Sequence, residues 1–281
     1  MIATALFRQL LCLAIMLNLF NEGLAAQGEQ DCMFNSQNKT FTVKGVDFTM
    51  IAVDGGTFQM GSDSPSAQLD QKPLHEVTLS DFFIGETEVT QALWTAVTGQ
   101  NPSEFKSLEN PVDSVTKNEA KRFSEKLDTL MHSLKLLPEQ WHIVLPTEAE
   151  WEYAAKGGRL SRGYRYSGSD DIDSVAWTRN NSDLKTHRVA SKKPNELGLF
   201  DMSGNVWEWV EDDYYPYFPQ AVHDPLIKNS TKSQAIKRGG SWYYSQTHRF
   251  EPSYRYPYYK DVTDSSIGLR LVLRQCKDIH K

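Results

Sequence analysis

Two segments carry side chains that could do chemistry. In Asp201-Met202-Ser203-Gly204-Asn205-Val206-Trp207-Glu208, two carboxylates bracket a short run of backbone carbonyls. Calcium takes six to eight oxygen ligands drawn from that mixture of groups. The segment therefore reads either as a calcium loop or as a tight turn with a capping carboxylate. The second segment runs from Gly239 through Ser241, Trp242, Tyr243, Tyr244, His248 and Arg249 to Phe250, and Tyr254, Arg255, Tyr256, Tyr258 and Tyr259 follow it. Rigid aromatic faces stack on sugars or apolar side chains, and arginine forks hold carboxylates or sulfates. This stretch is either a binding surface, extended by Tyr214, Tyr215, Tyr217 and Phe218, or the packing of a loop-rich core short of aliphatic strands.

Histidine adds little. His248 could join a metal site, but no second His or carboxylate stands at ligand spacing from it, and a lone imidazole in such a stretch reads as a hydrogen-bonded groove residue. His75 and His142 read as structural. Trp207 and Trp209 flank Glu208 and are expected on opposite sides of an extended segment, either lining a site or buried as core. Cys12 lies in the apolar N-terminal run, which leaves Cys32 and Cys276, either bridged in an oxidising compartment or unpaired.

The elements that must position these residues are short. Phe48 to Val53 reads as a strand, turning at Asp54, Gly55 and Gly56 into Thr57 to Met60, which is expected to pair back on it as a hairpin. His75 to Leu79 and Phe82 to Ile84 read as further strands. A helix begins at Thr90 with Leu93, Trp94 and Val97 on one face. Thr116 with Glu119 forms a capping box ahead of Ala120, Phe123, Leu127 and Leu130, and Thr147 with Glu150 opens a helix over Glu148 to Lys156, ended by Gly157 and Gly158. From Gly158 onward loops dominate, with few regular elements before a last strand at Gly268 to Leu273.

The net charge of −6, with no Lys/Arg cluster, argues against nucleic acid or an anionic membrane as the main partner. Arg8, the apolar run Leu10 to Phe20 and the small residues Gly23, Ala25 and Ala26 read as a signal peptide over residues 1–26. The apolar run falls well short of the roughly twenty residues needed to cross a bilayer. A soluble exported protein, secreted or periplasmic, with no integral membrane segment after cleavage is therefore expected.

Six motifs recur in a familiar order. They are Gly55 to Gly61 (Gly-Gly-Thr-Phe-Gln-Met-Gly), Glu86 to Thr90, Leu145 to Ala154 (Leu-Pro-Thr-Glu-Ala-Glu-Trp-Glu-Tyr-Ala), Asn195 to Trp209, Arg238 to Trp242 and Gly268 to Leu271. In these the chain resembles the formylglycine-generating enzyme (sulfatase-modifying factor) family. The resemblance implies an α+β, loop-rich fold related to C-type lectins, over residues 47–274, with residues 27–46 a polar lead-in and 275–281 a tail. It implies a calcium ion held by Asp201 and Glu208 side chains and by Gly204 and Val206 carbonyls. Catalytic relatives bind copper through two cysteines in the Gly239–Phe250 segment. Here the first position falls on Tyr244 and the second on Arg249 or His248, so copper and the oxidase chemistry are not expected. The former active-site positions are then Trp207, Ser241, Tyr244, His248 and Arg249. Trp242, Tyr243, Tyr244, His248, Arg255 and Tyr256 are the candidates for contact with a protein or glycan. Two functions follow: a non-catalytic, calcium-braced protein- or glycan-binding or scaffold module, or an enzyme, either an oxidase of the formylglycine-generating type acting in sulfatase maturation or a related oxidoreductase with altered, non-thiolate chemistry.

Overall fold

A computed structural model describes residues 37–65, 67–228 and 233–275; the leader, Cys32 and Cys276 lie outside the described residues. Three threonines start the main helices. Thr90 begins α1 (Gln91–Thr98), Thr116 begins α2 (Lys117–Ser133) and Thr147 begins α3 (Glu148–Ala155), each hydroxyl accepting from the backbone N–H three residues on. At Thr116 and Thr147 the glutamate of the box closes the reciprocal bond, at 2.9 and 2.6 Å. A short α4 (Ile172–Val175) follows.

Twelve strands form three sheets among the described residues. The first sheet is antiparallel in the order β1 (Lys39–Val43), β2 (Val46–Val53), β5 (Phe82–Gly85), β12 (Val272–Gln275) and β6 (Trp141–Val144). The second runs β10 (Tyr256–Tyr259), β9 (Gln234–Arg238), β7 (Trp207–Asp213) and β11 (Ile267–Leu269), with β11 parallel to β7. The third joins β3 (Gly56–Met60), β4 (His75–Leu79) and β8 (Val222–His223). Helix α2 lies over β6 and α1, where Trp94 stacks on Phe123 at 4.6 Å. Among the described residues no helix is long and apolar enough to cross a membrane.

Four expectations change. The ordered sheet begins at Lys39, inside the stretch read as a lead-in. Thr57 to Met60 pairs with His75–Leu79 and not with Phe48–Val53: Gly55 passes flat over Leu79, where a Cβ would meet the carbonyl oxygen at 2.2 Å, so the chain crosses directly into the third sheet. Gly158 to Val206 is largely loop, but β7 to β10 follow it. The last strand is two strands in different sheets, divided at Arg270, whose guanidinium turns inward to Glu208.

Helix α3 explains much of the architecture. Every one of its residues is buried, including three glutamates. Burying ionised carboxylates is costly unless they are paired, and each has an arginine. Glu148 takes Arg255 in a fork, at 2.7 and 2.8 Å, and Arg238 at 3.1 Å. Glu150 takes Arg274 at 2.6 Å, and Glu152 takes Arg238 at 2.5 Å and Lys156 at 2.6 Å. Around these pairs, Trp151, Val53, Met60, Val77, Leu79, Val210, Ile236 and Val272 form one apolar cluster fed by all three sheets.

Removing one partner strands a buried charge. Arg238→Met is expected to lower unfolding free energy by about 3–5 kcal/mol in urea titration. Arg188→Met, at an exposed pair with Glu109 3.4 Å away, should cost less than about 1 kcal/mol.

Candidate functional site

The second sheet has two chemically distinct faces. In its register Trp209 stands opposite Lys237, and Lys237 opposite Tyr256. Alternate residues of a strand share a face. One face thus carries Trp207, Trp209, Lys237, Tyr256 and Tyr258, and the other carries Glu208, Val210, Ile236 and Arg238 toward α3. Trp207 and Trp209 therefore lie on the same side, contrary to expectation, because only the residue between them, Glu208, points the other way. Both indoles are buried.

The outer face gathers cations among rings. Lys237 Nζ lies 3.8 Å from the centre of the Tyr258 ring, 4.8 Å from Tyr256 and 5.3 Å from Trp207. A 3-10 turn at Thr247–Phe250 sets the Arg249 guanidinium 4.6 Å from the Tyr244 ring, 5.2 Å from Tyr256 and 5.6 Å from Tyr254. Arg249 Nη1 donates to the Tyr254 hydroxyl at 3.1 Å, while its Nε is buried with no hydrogen-bond partner. Burial, reinforced by Arg249 and opposed by Asp264, brings the Lys237 ammonium down to about 7. Burial and then Tyr256 hold the Tyr244 phenol well above its usual range. Burial and then Arg249 lower His248, which favours its neutral form. At neutral pH the face offers neutral hydroxyl groups, a neutral imidazole and the partly exposed Arg249 guanidinium, with the buried Lys237 ammonium about half protonated behind them, which suits an anionic or hydrogen-bond-accepting guest.

The positions singled out in sequence largely converge here. Tyr244 meets Trp207 at 5.8 Å, His248 meets Tyr254 at 5.4 Å, and Ser241 is buried with its Oγ unpartnered. Tyr243 is half exposed, with Arg179 stacked 5.3 Å above it. Trp242 is buried, its Nε1 donating to the Ser265 carbonyl at 3.0 Å. Arg255 is not a surface residue: one place before Tyr256, it faces the core and the Glu148 fork. Tyr214 and Tyr217 stack on Arg255 and so belong to that opposite side, not to an extended outer surface. Lys237 escaped sequence reasoning because an isolated Lys in a strand carries no pattern.

Beneath the sheet end lies the carboxylate loop. Asp201, Gly204 and Asn205 have positive φ (58°, 92° and 57°), and a Cβ on Gly204 would stand 2.6 Å from the Trp177 carbonyl oxygen, so only glycine fits there. Asp201 Oδ2 accepts from Ala190 N at 2.8 Å, while Oδ1 is buried without a partner. Glu88, not singled out in sequence, joins it by accepting from Asn205 Nδ2 at 3.0 Å and Val206 N at 3.2 Å. Glu208 accepts from Arg270 Nε at 3.1 Å on both oxygens, from Arg270 Nη2 at 2.8 Å and from Trp151 Nε1 at 2.6 Å. Those bonds fill the roughly four lone-pair sites of a carboxylate. The orphan oxygen of Asp201 fits a hard cation, whereas Glu208 fits Arg270 and is not free to be a ligand. Burial, with Asp201 and Glu208 next, raises Glu88 well above the carboxylate range, and burial raises Asp201 to about 6. Three ionised carboxylates would exceed the single charge of Arg270, which is why burial and like charge disfavour ionisation here.

Residues 36–275 match the sulfatase-modifying factor enzyme 1-like domain. The chain belongs to that family. It is 33% identical over 266 residues to the chaperone protein LppX of Paenibacillus barcinonensis, covering 79% of this chain and 88% of the relative. It is 24% identical over 288 residues to the inactive C-alpha-formylglycine-generating enzyme 2 of Bos taurus, covering 79% and 86%. Among solved structures it is similar to Treponema denticola variable protein 1, with TM-score 0.75 and 32% identity over 84% of this chain and 99% of that one. The mixed α+β architecture is thus the family's fold.

Lys237 gives a test of the outer face. Its depressed value means that the folded state bears the cost of the charge fully below about 7, and sheds it as the pH climbs toward the unfolded value near 10.4. Lys237→Met is expected to add about 1–3 kcal/mol at pH 7, a gain that shrinks toward pH 10 in paired denaturant titrations.

Proposed function

We propose that this chain is a non-catalytic binding module, braced by calcium, for a polypeptide that presents carboxylate and aromatic side chains. One observation carries the proposal. Where the resemblance places a thiolate pair, the outer face instead holds Lys237 and Arg249 among Trp207, Tyr244, Tyr254, Tyr256 and Tyr258, and neither cation forms a salt bridge among the described residues. The sequence contains no cysteine between Cys32 and Cys276. Soft thiolates select Cu(I), and phenols with a guanidinium do not replace them. Arg249 Nε is a buried donor that lacks an acceptor. Leaving such a donor unmet costs about 1–3 kcal/mol, which a bound carboxylate would recover. A relative named as a chaperone favours a polypeptide partner, and a relative named as inactive accords with loss of the oxidase reaction.

In this proposal calcium is held by Asp201 with the carbonyls of Gly204 and Val206, and it offsets the excess charge of Glu88 and Asp201. Glu208 acts behind them through Arg270. The ion supplies no reaction step; it fixes the loop that enters β7.

Three measurements test this. With copper and oxygen present, a Cys-x-Pro-x-Arg peptide is expected to yield no aldehyde above an enzyme-free control by mass spectrometry; conversion would restore the oxidase. On peptide and glycan arrays, acidic aromatic peptides should be retained and Arg249→Glu should weaken them at least about tenfold, since charge-assisted bonds are the strong ones. Retention of neutral glycans, equal for both proteins, would overturn the peptide assignment. Adding Ca²⁺ after chelation should raise the melting temperature by a few degrees, about 2.7 kcal/mol at a hundredfold excess over Kd, and Asp201→Ala should abolish the rise.

A further inference from the structure

Away from the outer face and the carboxylate loop, the last turns of α2 meet the edge strand β6. Asp128 and His132 stand four residues apart in α2 and so share one side of the helix. His142 projects from β6 toward them. His142 Nδ1 lies 3.1 Å from Asp128 Oδ2, His132 Nε2 lies 3.6 Å from Asp128 Oδ1, and the two imidazole centroids are 5.2 Å apart. One ligand atom from each of the three residues can be chosen so that all lie within 4.8 Å of one another.

Hydrogen bonding alone leaves part of this arrangement without a purpose. Asp128 Oδ1 accepts from Ile143 N at 2.8 Å, which ties the edge strand to the helix. His142 completes the other oxygen. His132 Nε2 is buried with no hydrogen-bond partner, although it is turned to the same carboxylate. An imidazole nitrogen that lies 3.6 Å from a carboxylate without a hydrogen bond, on a ring 5.2 Å from a second imidazole, is arranged as a ligand would be.

We propose that Asp128, His132 and His142 bind a divalent late-transition-metal ion of the Zn²⁺ class, with one coordination position left open. Zinc bonds to imidazole nitrogen and carboxylate oxygen at about 2.0–2.2 Å, which places tetrahedral donors about 3.3 Å from one another. The separations of 3.1 Å to Asp128 Oδ2 and 3.6 Å to Oδ1 lie near that spacing, and with all three ligand atoms within 4.8 Å of one another a small side-chain adjustment brings them around one ion. Two imidazoles and one carboxylate suit zinc, copper or nickel and not calcium, which takes oxygen donors. The Ile143 N–H orients the carboxylate as an outer-shell partner, a contact that metal sites commonly use. All three residues are half-buried, so an ion can enter from solvent without unfolding the chain. The site is independent of the binding face and of calcium at Asp201.

The test is calorimetric titration of Zn²⁺ into the chelator-stripped chain without a polyhistidine tag, in saturating Ca²⁺ so that the Asp201 loop does not compete. One equivalent should bind with micromolar or tighter affinity. His132→Ala and His142→Ala should each weaken it at least about tenfold, since loss even of outer-shell support costs 10–100-fold. His223→Ala and His248→Ala should leave it unchanged. Circular dichroism establishes that each variant is folded, and Co²⁺ supplies a second readout: a tetrahedral visible absorption in the parent chain that His132→Ala removes. No saturable one-to-one binding, or a His132→Ala protein that titrates like its parent, would overturn the site.

Discussion

The constraint on which the rest depends is the neutralisation of carboxylates inside the molecule. Glu148, Glu150 and Glu152 lie on a helix with no solvent-facing side, and Glu208 lies on the strand it packs against. Arg238, Arg255 and Arg270 are fully buried against them, and Arg274 joins Glu150 to Glu211. A buried pair contributes little net stability, since desolvation offsets attraction, but separating its members is costly. The pairs therefore act as register marks. The helix can meet the strands in the one alignment that gives every carboxylate its guanidinium.

That alignment determines what the other side of the sheet displays. Strands alternate, and a slip of one residue would exchange the faces. With Glu208 and Arg238 committed toward α3, Trp207 and Lys237 must take the opposite face of the sheet, where both are buried under the rings around them, and with Arg255 committed inward, Tyr256 joins them there, partly exposed. The aromatic and cationic outer face is thus the complement of the ionic inner one. The same logic divides the C-terminal strand: Arg270 has to reach Glu208, so β11 ends before it and β12 begins after it in another sheet.

The carboxylate loop lies at the junction of these two systems. Glu208 is committed to Arg270, so Glu88 and Asp201 are left without a cation of their own, and burial together with the neighbouring carboxylates disfavours their ionisation. Positive φ at Asp201, Gly204 and Asn205 winds the chain so that Asn205 reaches Glu88 and a loop carbonyl together. A loop shaped by opposed charges is where an external cation has most effect, and it leads directly into the strand bearing Trp207.

The sequence by itself determined the local elements. Thr116 with Glu119 and Thr147 with Glu150 announced their helices to within a residue, because a capping box is satisfied by neighbours in the chain. The motif order identified the family fold and gathered Trp207, Tyr244, His248 and Arg249 into one candidate site. Tertiary structure alone decided which strand Gly56–Met60 would pair with, that Arg255 and Tyr217 turn inward, that Lys237 stands among rings, and that Asp128, His132 and His142 meet. Each of these rests on a partner tens or hundreds of residues away, or on an element boundary that sequence spacing does not mark. Charges and rings are indifferent to sequence distance, so their pairing is decided only when the sheets and helices close on one another.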